Sequence, residues 1–352
     1  MDDFPQFSRS ALTSLAESYQ QLQQDLRSRV VGKGRELEQL LIALILGGHC
    51  LLEGVAGTAK SALAGYFGES MGLRARQITL APDLAPGEFF ARLNGETGKE
   101  SPPPDLLLLD GIEQCSAKLR GAIVDATQSG LIRDQRVAGS IASPFLLLAA
   151  HPPYQPRSNP AASDPATGLF DARFADQFLF QIPFRYPAYH DEFMAFHSPR
   201  RASAQPRDDG PAEPDPTSAR WKIDRAAIRR HLANCDPPVP LVHYVLRLVR
   251  ATRVYEGEDH DFILEYVSQG AGPRGVASLI GAARIRAVLY GRDDPEVDDV
   301  RALAHAVLRH RLSLNAHAIR NGITVDQLID RLLEETPERA VGDTEIPSRT
   351  AE

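Results

Sequence analysis

The sequence predicts an α/β fold, in which a parallel sheet flanked by helices is followed by a small all-helical domain. Short apolar runs alternate with helix-periodic stretches through the first half of the chain, as they do in parallel α/β sheets. One of these runs, residues 51–61 (LLEGVAGTAKS), breaks into glycines and ends in a Lys-Ser pair. After Trp221 the apolar residues recur with the period of helices.

The elements of the first half follow in chain order from their own patterns. An amphipathic N-terminal helix is indicated by a stripe of apolar residues spaced three and four apart: Leu12, Leu15, Tyr19, Leu22 and Leu26. A second helix closes at Gly47-Gly48, just before the strand at Leu51. Four further buried strands are predicted over residues 76–80, 106–109, 145–150 and 178–182. Residues 82–104 are rich in Pro and Gly and are predicted to be an irregular insertion.

The second half is predicted to be a set of helices. Residues 276–287 and 297–307 each carry one apolar stripe, and Pro295 is expected at an early position of the second helix. Thr324 and Gln327 form a predicted capping box ahead of the last helix. The predicted organisation of the whole chain is an N-terminal helix (1–29), an α/β core (30–195), a flexible linker or loop (196–220), a helical domain (221–336) and a disordered tail (337–352).

Composition narrows the class of protein. The net charge of −7 over 352 residues argues against constitutive binding to nucleic acid or to an anionic membrane. Three widely spaced cysteines, Cys50, Cys115 and Cys235, suggest neither a disulfide framework nor a zinc site. The N-terminus shows no signal-peptide pattern, and the longest apolar run is too short to span a bilayer. We therefore predict a cytoplasmic protein with no nucleic-acid partner and no membrane segment.

The glycine-rich stretch has the layout of a phosphate-binding loop between a strand and a helix. Gly54, Ala56 and Gly57 leave room for backbone N–H groups to approach phosphate oxygens, and the helix N-terminus behind them favours an anion. Lys60 then reaches the β- and γ-phosphates, and the Ser61 hydroxyl ligates Mg²⁺. The usual pattern has glycine before the lysine, where this chain has Ala59. The alternative is a plain glycine turn with Lys60 in solvent.

Several segments together resemble the MoxR-type AAA+ ATPases. HCLLEGVAGTAKS resembles the Walker A segment of that family, in which an alanine commonly precedes the lysine. VVGKGRELEQLLIALILGGH, ITLAPDLAPGE and QFLFQIPFRYP resemble parts of its core, and HYVLRLVRATR, GAGPRG and VLRHRL resemble its helical lid. The resemblance covers roughly residues 30 to 315 and implies an AAA+ core with a helical lid, ATP or ADP with Mg²⁺ bound at a subunit interface, and an oligomeric ring. It also implies a chaperone-like role, often with a von Willebrand factor A-domain partner and a client protein.

The resemblance also assigns binding residues. The positions expected to hold nucleotide are Val31, Gly54, Val55, Ala56, Gly57, Thr58, Ala59, Lys60, Ser61, Asp110 and Arg274. Ser61 and Asp110 are the expected Mg²⁺ positions, since Asp110 matches the Walker B aspartate. Arg274 matches the sensor 2 arginine, and its alternative role is to cap a lid helix.

Three positions that perform hydrolysis in the family are degenerate here. Gly111 stands where the family has the Walker B glutamate, Pro152 where it has the sensor 1 asparagine, and Gln177 where it has the arginine finger. None of the three side chains can polarise water or balance transition-state charge as the family residue does. The candidate substitutes are Glu113, His151 and Arg173, and the alternative is that these three are an exposed helix residue, a loop residue and a solvated residue.

These residues favour a nucleotide-gated chaperone or assembly factor whose own ATP hydrolysis is weak or lost. The alternatives are an active ATPase of the same family that uses the substitutes, a scaffold that binds no nucleotide, and a mixed ring in which a complete paralogue supplies the missing groups. A DNA-translocating motor is disfavoured by the acidic charge balance.

Overall fold

The structure, a computed structural model, describes residues 4–29, 32–94, 103–133, 138–140, 145–153, 172–197, 223–255 and 260–338. The chain divides into two compact units. The sheet unit comprises residues 17–154 and 177–224, and the helical unit comprises residues 1–16, 155–176 and 225–352. Val31, most of the predicted linker and the end of the predicted tail lie outside the described residues.

The sheet unit is built on parallel strands, as predicted. Within the described residues the main sheet has the strand order β2-β3-β6-β1-β7: β1 Cys50–Glu53, β2 Ala75–Thr79, β3 Leu106–Asp110, β6 Leu146–His151 and β7 Phe180–Pro183. A short antiparallel pair lies beside it, formed by β4 Leu131–Arg133 and β5 Ala138–Ser140. The helices that belong wholly to this unit are α2 Gly34–Leu46, α3 Lys60–Met71, α4 Pro86–Asn94, α5 Ala117–Ser129 and α7 Tyr189–His197.

The apolar runs form the inner strands because both faces of the sheet are covered. Every residue of β6 is buried, and Leu106 to Leu109 of β3 are each at most 3% exposed. The register places Glu53 opposite His151, and Asp110 opposite Ala150. The carboxyl ends of β1, β6 and β3 therefore meet at one edge of the sheet.

The N-terminal stripe is confirmed where its side chains are described. Helix α1 spans Phe4–Arg29, and Leu15, Tyr19, Leu22 and Leu26 are buried. Tyr19 also donates a hydrogen bond from its hydroxyl to Glu38 Oε2 of α2 at 2.6 Å.

The prediction of an irregular insertion over residues 82–104 is wrong for its middle part, which is helix α4. This helix buries Phe89, Phe90 and Leu93 on one face. Pro86 is its first residue, a position at which a missing N–H breaks no helical hydrogen bond. Proline and glycine at the ends of the segment obscured the short apolar stripe between them.

The helical unit consists mainly of helices packed around α11 and α12. Its described elements are α6 Ala172–Ala175, α8 Arg225–Asn234, α9 Val239–Arg250, α10 Asp261–Tyr266, β8 Val267–Gln269, α11 Pro273–Leu289, α12 Val297–Leu308, a 3₁₀ turn Arg309–Arg311, β9 Ser313–Leu314, α13 Ala316–Arg320 and α14 Val325–Glu335. The pairing of β8 with β9 is a departure from the all-helical expectation.

Of the two helix starts predicted from local sequence signals in this unit, one is confirmed and one is wrong. The capping box of Thr324 and Gln327 is present at the start of α14, as predicted. The prediction for Pro295 is wrong, because α12 begins at Val297 with Glu296 as its N-cap. Asp299 is fully buried in the first turn of α12 and pairs with Arg286 and Arg292.

A search of the described residues finds no helix that is long and apolar enough to cross a bilayer.

Candidate nucleotide-binding site

The phosphate loop connects β1 to α3 and contains two residues with left-handed backbone. Gly57 has φ of 82°, and Ala59, the N-cap of α3, has φ 68° and ψ 22°. Ala59 is the one non-glycine residue with positive φ in the described part of the chain. This conformation is strained for alanine and easy for glycine, which explains why the common form of the motif has glycine here.

Gly54 is fixed by close packing rather than by its φ angle. A Cβ atom at this position would lie 2.7 Å from the carbonyl oxygen of Phe184 and 2.9 Å from Thr58 Oγ1. Phe184 follows β7, which pairs with β1, so the backbone of one strand end passes directly over the start of the loop. Any larger residue at position 54 must displace that backbone.

Lys60 begins α3 and lies over the loop. Its Nζ donates hydrogen bonds to the carbonyl oxygens of Gly54 at 2.6 Å and Val55 at 2.8 Å. Thr58 Oγ1 also donates to the carbonyl of Val55, at 2.8 Å. Burial lowers the pKa of Lys60, and the negative charges of Asp110 and Glu113 oppose that shift. A half-buried cation therefore sits at a helix N-terminus with two carboxylates nearby.

Ser61 and Asp110 suit a magnesium ion that is brought with a phosphate ligand. Ser61 is exposed in the first turn of α3, and Asp110 ends β3 two strands away from β1. No group of three or more His, Cys, Asp or Glu side chains that could hold a metal occurs in the described ranges. Mg²⁺ commonly uses one or two protein ligands together with substrate phosphates, so this sparse donor set is compatible with it.

The turn after β3 has a backbone that the sequence did not predict. Gly111 has φ of 79°, and its N–H and that of Ile112 both donate to the carbonyl of Ala150, at 3.1 and 3.2 Å. The carbonyl of Gly111 in turn accepts from the N–H of Gln114 at 2.9 Å. A side chain at position 111 would be strained by the backbone and would contact the Gln114 side chain.

Two of the three candidate substitutes lie at this same sheet edge. Glu113 occupies the turn, and its Oε1 accepts a 3.4 Å hydrogen bond from Gln114 Nε2. His151 ends β6 and is 5% exposed, with its Nδ1 2.8 Å from the carbonyl oxygen of Pro152. Burial lowers the pKa of His151, Glu53 and Glu113 oppose the shift, and Lys60 adds to it. The structure thus brings Lys60, Asp110, Glu113 and His151 together, with Pro152 exposed just beyond them.

The arginine-finger position and its candidate substitute lie in different units. Gln177 belongs to the sheet unit, where its Oε1 accepts a hydrogen bond from Gln128 Nε2 near the end of α5. Arg173 is exposed on α6 of the helical unit.

Arg274 lies in the first turn of α11 in the helical unit. Its Nη1 is 3.3 Å from Asp176 Oδ2, and the other oxygen of Asp176 accepts from Arg311 Nε at 2.9 Å. The Arg311 side chain is 2% exposed, so Asp176 is anchored on a buried cation while it holds the exposed Arg274. Sequence reasoning missed Asp176, since its partners lie far away in the chain.

The glycine lead-in to Arg274 is locked by packing. A Cβ at Gly270 would lie 2.1 Å from the carbonyl oxygen of Thr252, so only glycine fits there. Thr252 is fully buried, and its hydroxyl accepts from the N–H of Ala271. These contacts explain the first glycine of the GAGPR segment, whereas a Cβ at Gly272 would meet nothing within 4 Å.

Family models match both parts of the chain. The model described as the ATPase family associated with various cellular activities (AAA) matches residues 49–163, and the model of the AAA lid domain matches residues 264–332. Among curated proteins, Chaperone MoxR1 of Mycobacterium tuberculosis is 29% identical over 317 residues, covering 88% of this chain and 79% of that protein. Protein MoxR of Methylorubrum extorquens is 25% identical over 352 residues, covering 93% of this chain and 96% of that protein.

A solved structure has the same fold. The crystal structure of a protein from Cytophaga hutchinsonii assigned as an ATPase superposes with a TM-score of 0.75 at 24% identity, covering 94% of this chain and 98% of that one. The parallel sheet, the helical C-terminal part and these matches define the class of protein as an ATPase of the AAA+ type. Within that class, the family-model matches and the relatives named MoxR support a MoxR-type AAA+ ATPase.

Proposed function

We propose that this chain binds Mg²⁺-ATP and acts as a nucleotide-gated chaperone or assembly factor on a partner protein. The observation that carries the proposal is the position of Lys60, half-buried at the N-terminus of α3 with its ammonium group on the loop carbonyls. A cation there, backed by a helix N-terminus and facing Asp110, is suited to a triphosphate with its magnesium ion.

The residues proposed to hold the nucleotide are those of the phosphate loop, 54–61. Asp110 is proposed to bind the magnesium ion. Val31 remains a proposed contact outside the described residues. Arg274 is proposed to approach the phosphates as the sensor 2 arginine, and its side chain, paired with Asp176 at 3.3 Å, is exposed at the surface of the helical unit. When bound, ATP supplies the phosphoanhydride bond, and Ser61 and Asp110 position the magnesium ion.

We propose that hydrolysis by this chain alone is slow. Gly111 offers no carboxylate, Pro152 no side-chain donor, and Gln177 no positive charge. An arginine finger contributes about 10³ to 10⁵ in rate where it operates, so the loss of that charge alone is large. ATP binding rather than rapid turnover would then set the state of the protein.

The cellular role is proposed from the names of relatives and from the family. The Mycobacterium relative is named a chaperone, which supports a client protein as the target. AAA+ proteins usually assemble as rings, so we propose a homo- or hetero-oligomeric ring, with a von Willebrand factor A-domain protein as a further proposed partner. The free cysteines Cys50, Cys115 and Cys235 are compatible with the proposed cytoplasmic location.

An active ATPase is the second candidate function. It is favoured by one observation, the meeting of Glu113 and His151 with Lys60 at the sheet edge. In that case turnover would be steady, and the three degenerate positions would matter less than their identities suggest.

Nucleotide binding and assembly test the proposal. Calorimetry with Mg²⁺-ATP and Mg²⁺-ADP should show binding to the full chain, and light scattering should show an assembly that depends on nucleotide. Lys60→Ala should lower ATP affinity by about 100-fold, since a charge-assisted contact is lost. Lys118→Ala removes an exposed lysine of α5 and serves as the control. Equal affinity and assembly in wild type and Lys60→Ala would contradict the proposal and leave a scaffold.

A further inference from the structure

The turn after β3 carries a single carboxylate, Glu113, and this turn is tied to the end of β6. Gly111 and Ile112 both donate to the carbonyl of Ala150, and Gln114 closes the turn on the carbonyl of Gly111. The backbone of Gly111 and Ile112 is therefore fixed to the sheet and that of Gln114 to Gly111, which fixes where the Glu113 side chain begins.

The phosphate loop is tied to the same strand end. The N–H of Gly54 donates to the carbonyl of His151 at 3.0 Å, one residue beyond the carbonyl that holds the β3 turn. Glu53 and Gly54 thus lie beside His151, while Gly111 and Ile112 lie beside Ala150. Strand β6 therefore places the two turns next to each other, and the negative charge of Glu113 acts on the pKa of Lys60.

One oxygen of Glu113 is buried without a hydrogen-bond donor among the residues that the structure describes. This oxygen is Oε2, while Oε1 has, among the described residues, the one long hydrogen bond from Gln114 Nε2 at 3.4 Å. A buried acceptor left without a donor costs about 1 to 3 kcal/mol, so native proteins rarely keep one unless a ligand or water completes it. The negative charge of Glu113 raises the pKa of both Lys60 and His151, against the lowering caused by burial, which is consistent with a position near both side chains.

We infer that Glu113 has taken over the task of the absent glutamate and is the proton acceptor for slow ATP hydrolysis by this chain. The inference rests on the proposed nucleotide site and deepens it. Two features carry it: the left-handed backbone of Gly111, which turns the chain after Asp110, and the buried side-chain oxygen Oε2 of Glu113 in the same turn.

The chemical step is a hydrolysis with Glu113 as general base. Oε2 accepts a proton from a water molecule while the water oxygen forms a bond to the γ-phosphorus. The bond between that phosphorus and the bridging oxygen breaks, and the electron pair leaves with ADP. The proton then passes from Glu113 to the inorganic phosphate or to solvent, which returns the carboxylate to its charged form.

Single-turnover hydrolysis and ATP binding by Glu113→Gln test this role. Phosphate release from bound ATP, measured with the full-length protein in excess, should fall by at least about tenfold, because general base catalysis contributes about 10² to 10⁴. The affinity for ATP, measured by calorimetry without Mg²⁺, should rise by about threefold, because a negative charge beside Lys60 is removed. Glutamine keeps the shape of the side chain, and thermal unfolding checks that the variant is folded.

Asp125→Asn is the matched control. It removes the same charge from the exposed face of α5 and should leave both phosphate release and ATP affinity unchanged. Glu113→Asp, which keeps the carboxylate on a shorter side chain, should retain part of the hydrolysis and the wild-type affinity.

The outcomes separate this inference from the proposed function. Hydrolysis that is equal in wild type and Glu113→Gln overturns the role of Glu113, and so does tight ATP binding by wild type with no phosphate release at all. In both cases the nucleotide-gated switch stands. Absence of ATP binding by wild type overturns the proposed function and this inference together.

Discussion

Two turns at the carboxyl edge of the sheet look alike and differ in what they preserve. Each follows a buried parallel strand, and each contains left-handed backbone, at Gly57 and Ala59 in the phosphate loop and at Gly111 after β3. The phosphate loop keeps both the residues and the geometry expected for an anion. The β3 turn has Gly111 where the resemblance predicts a glutamate, and its backbone has a conformation in which a glutamate would be strained.

The difference teaches that the residue at position 111 has to be judged by its backbone conformation as well as by its side chain. If Gly111 differed from a glutamate only by lacking a carboxylate, Gly111→Glu would restore that carboxylate. The φ of 79° and the contact with Gln114 argue that this change would first disturb the turn that positions Glu113. The two turns therefore respond differently to substitution, and four experiments test how.

The largest effect is expected at Gly54. Gly54→Ala places a methyl group 2.7 Å from the carbonyl oxygen of Phe184, so backbone must move and the free energy of unfolding should fall by about 2 to 3 kcal/mol. Affinity for ATP should fall with it. Gly65→Ala, in open space on α3, should instead raise stability by about 0.5 to 1 kcal/mol. Urea unfolding measures the stability of both variants. If Gly54→Ala is as stable as the wild type, the loop adjusts to the added methyl group at little cost.

Lowering the pH is expected to destabilise the sheet unit through two histidines, His49 and His151, whose pKa values are lowered by burial. Burial lowers the pKa of His49, which lies just before β1, to about 4, below its value of about 6.5 in the unfolded chain. The unfolded state then binds more protons, so the stabilisation is complete above about pH 6.5 and is lost as pH falls towards 4. Between pH 7 and pH 5 the free energy of unfolding should drop by about 1 to 2 kcal/mol.

The source of that loss can be assigned by substitution. His49→Gln should flatten the pH dependence of urea unfolding, because glutamine can still accept the 3.3 Å hydrogen bond from Leu147 N–H without titrating. If the slope is unchanged, buried His151 at the edge that carries both turns is the main contributor, since its pKa is lowered as well.

A smaller effect is expected at Gly111. Gly111→Ala should lower the free energy of unfolding by about 1 to 2 kcal/mol, because alanine is strained at φ of 79°. Gly121→Ala, on the exposed part of α5, should raise it slightly. Thermal unfolding compares them, and a stable Gly111→Ala protein would mean that the β3 turn relaxes to another conformation. In that case Glu113 would no longer be positioned as described.

The smallest effect is expected at Ala59, where the phosphate loop itself is strained. Ala59→Gly relieves left-handed strain of about 1 kcal/mol but adds freedom to the unfolded chain, so a gain of about 0.5 kcal/mol is expected. Ala56→Gly, where φ is not positive, should lower stability instead. Opposite signs in differential scanning calorimetry would support the assigned conformations, whereas a loss in both variants would contradict them.

The features predicted correctly are those encoded by local patterns. Continuous apolar runs marked the strands that lie in the sheet interior, and the spacing of Thr324 and Gln327 marked a real capping box. Helix α4 was missed because its stripe is short and is flanked by proline and glycine. Pro295 was misplaced by two residues, since proline is tolerated on both sides of an N-cap.

The parts of the candidate site that sequence could not predict depend on φ angles or on distant contacts. The sequence shows that residue 111 is a glycine, but it does not show that this glycine has a left-handed backbone. Phe184 packs against Gly54, and Asp176 pairs with Arg274. Both pairs are far apart in the sequence, so no local pattern predicts these contacts. Glu113 was named as a candidate from its proximity to Asp110, whereas its buried oxygen emerged only from the structure.

The end of β6 links the phosphate loop and the β3 turn through backbone hydrogen bonds. Its last two carbonyls hold the N–H groups of Gly54, Gly111 and Ile112, and Pro152, which has no N–H of its own, follows immediately. A displacement of this strand end by even a fraction of a hydrogen-bond length loosens both turns at once. The proposed nucleotide binding and the proposed activation of water would then weaken together, and local unfolding here would remove both in a single cooperative step.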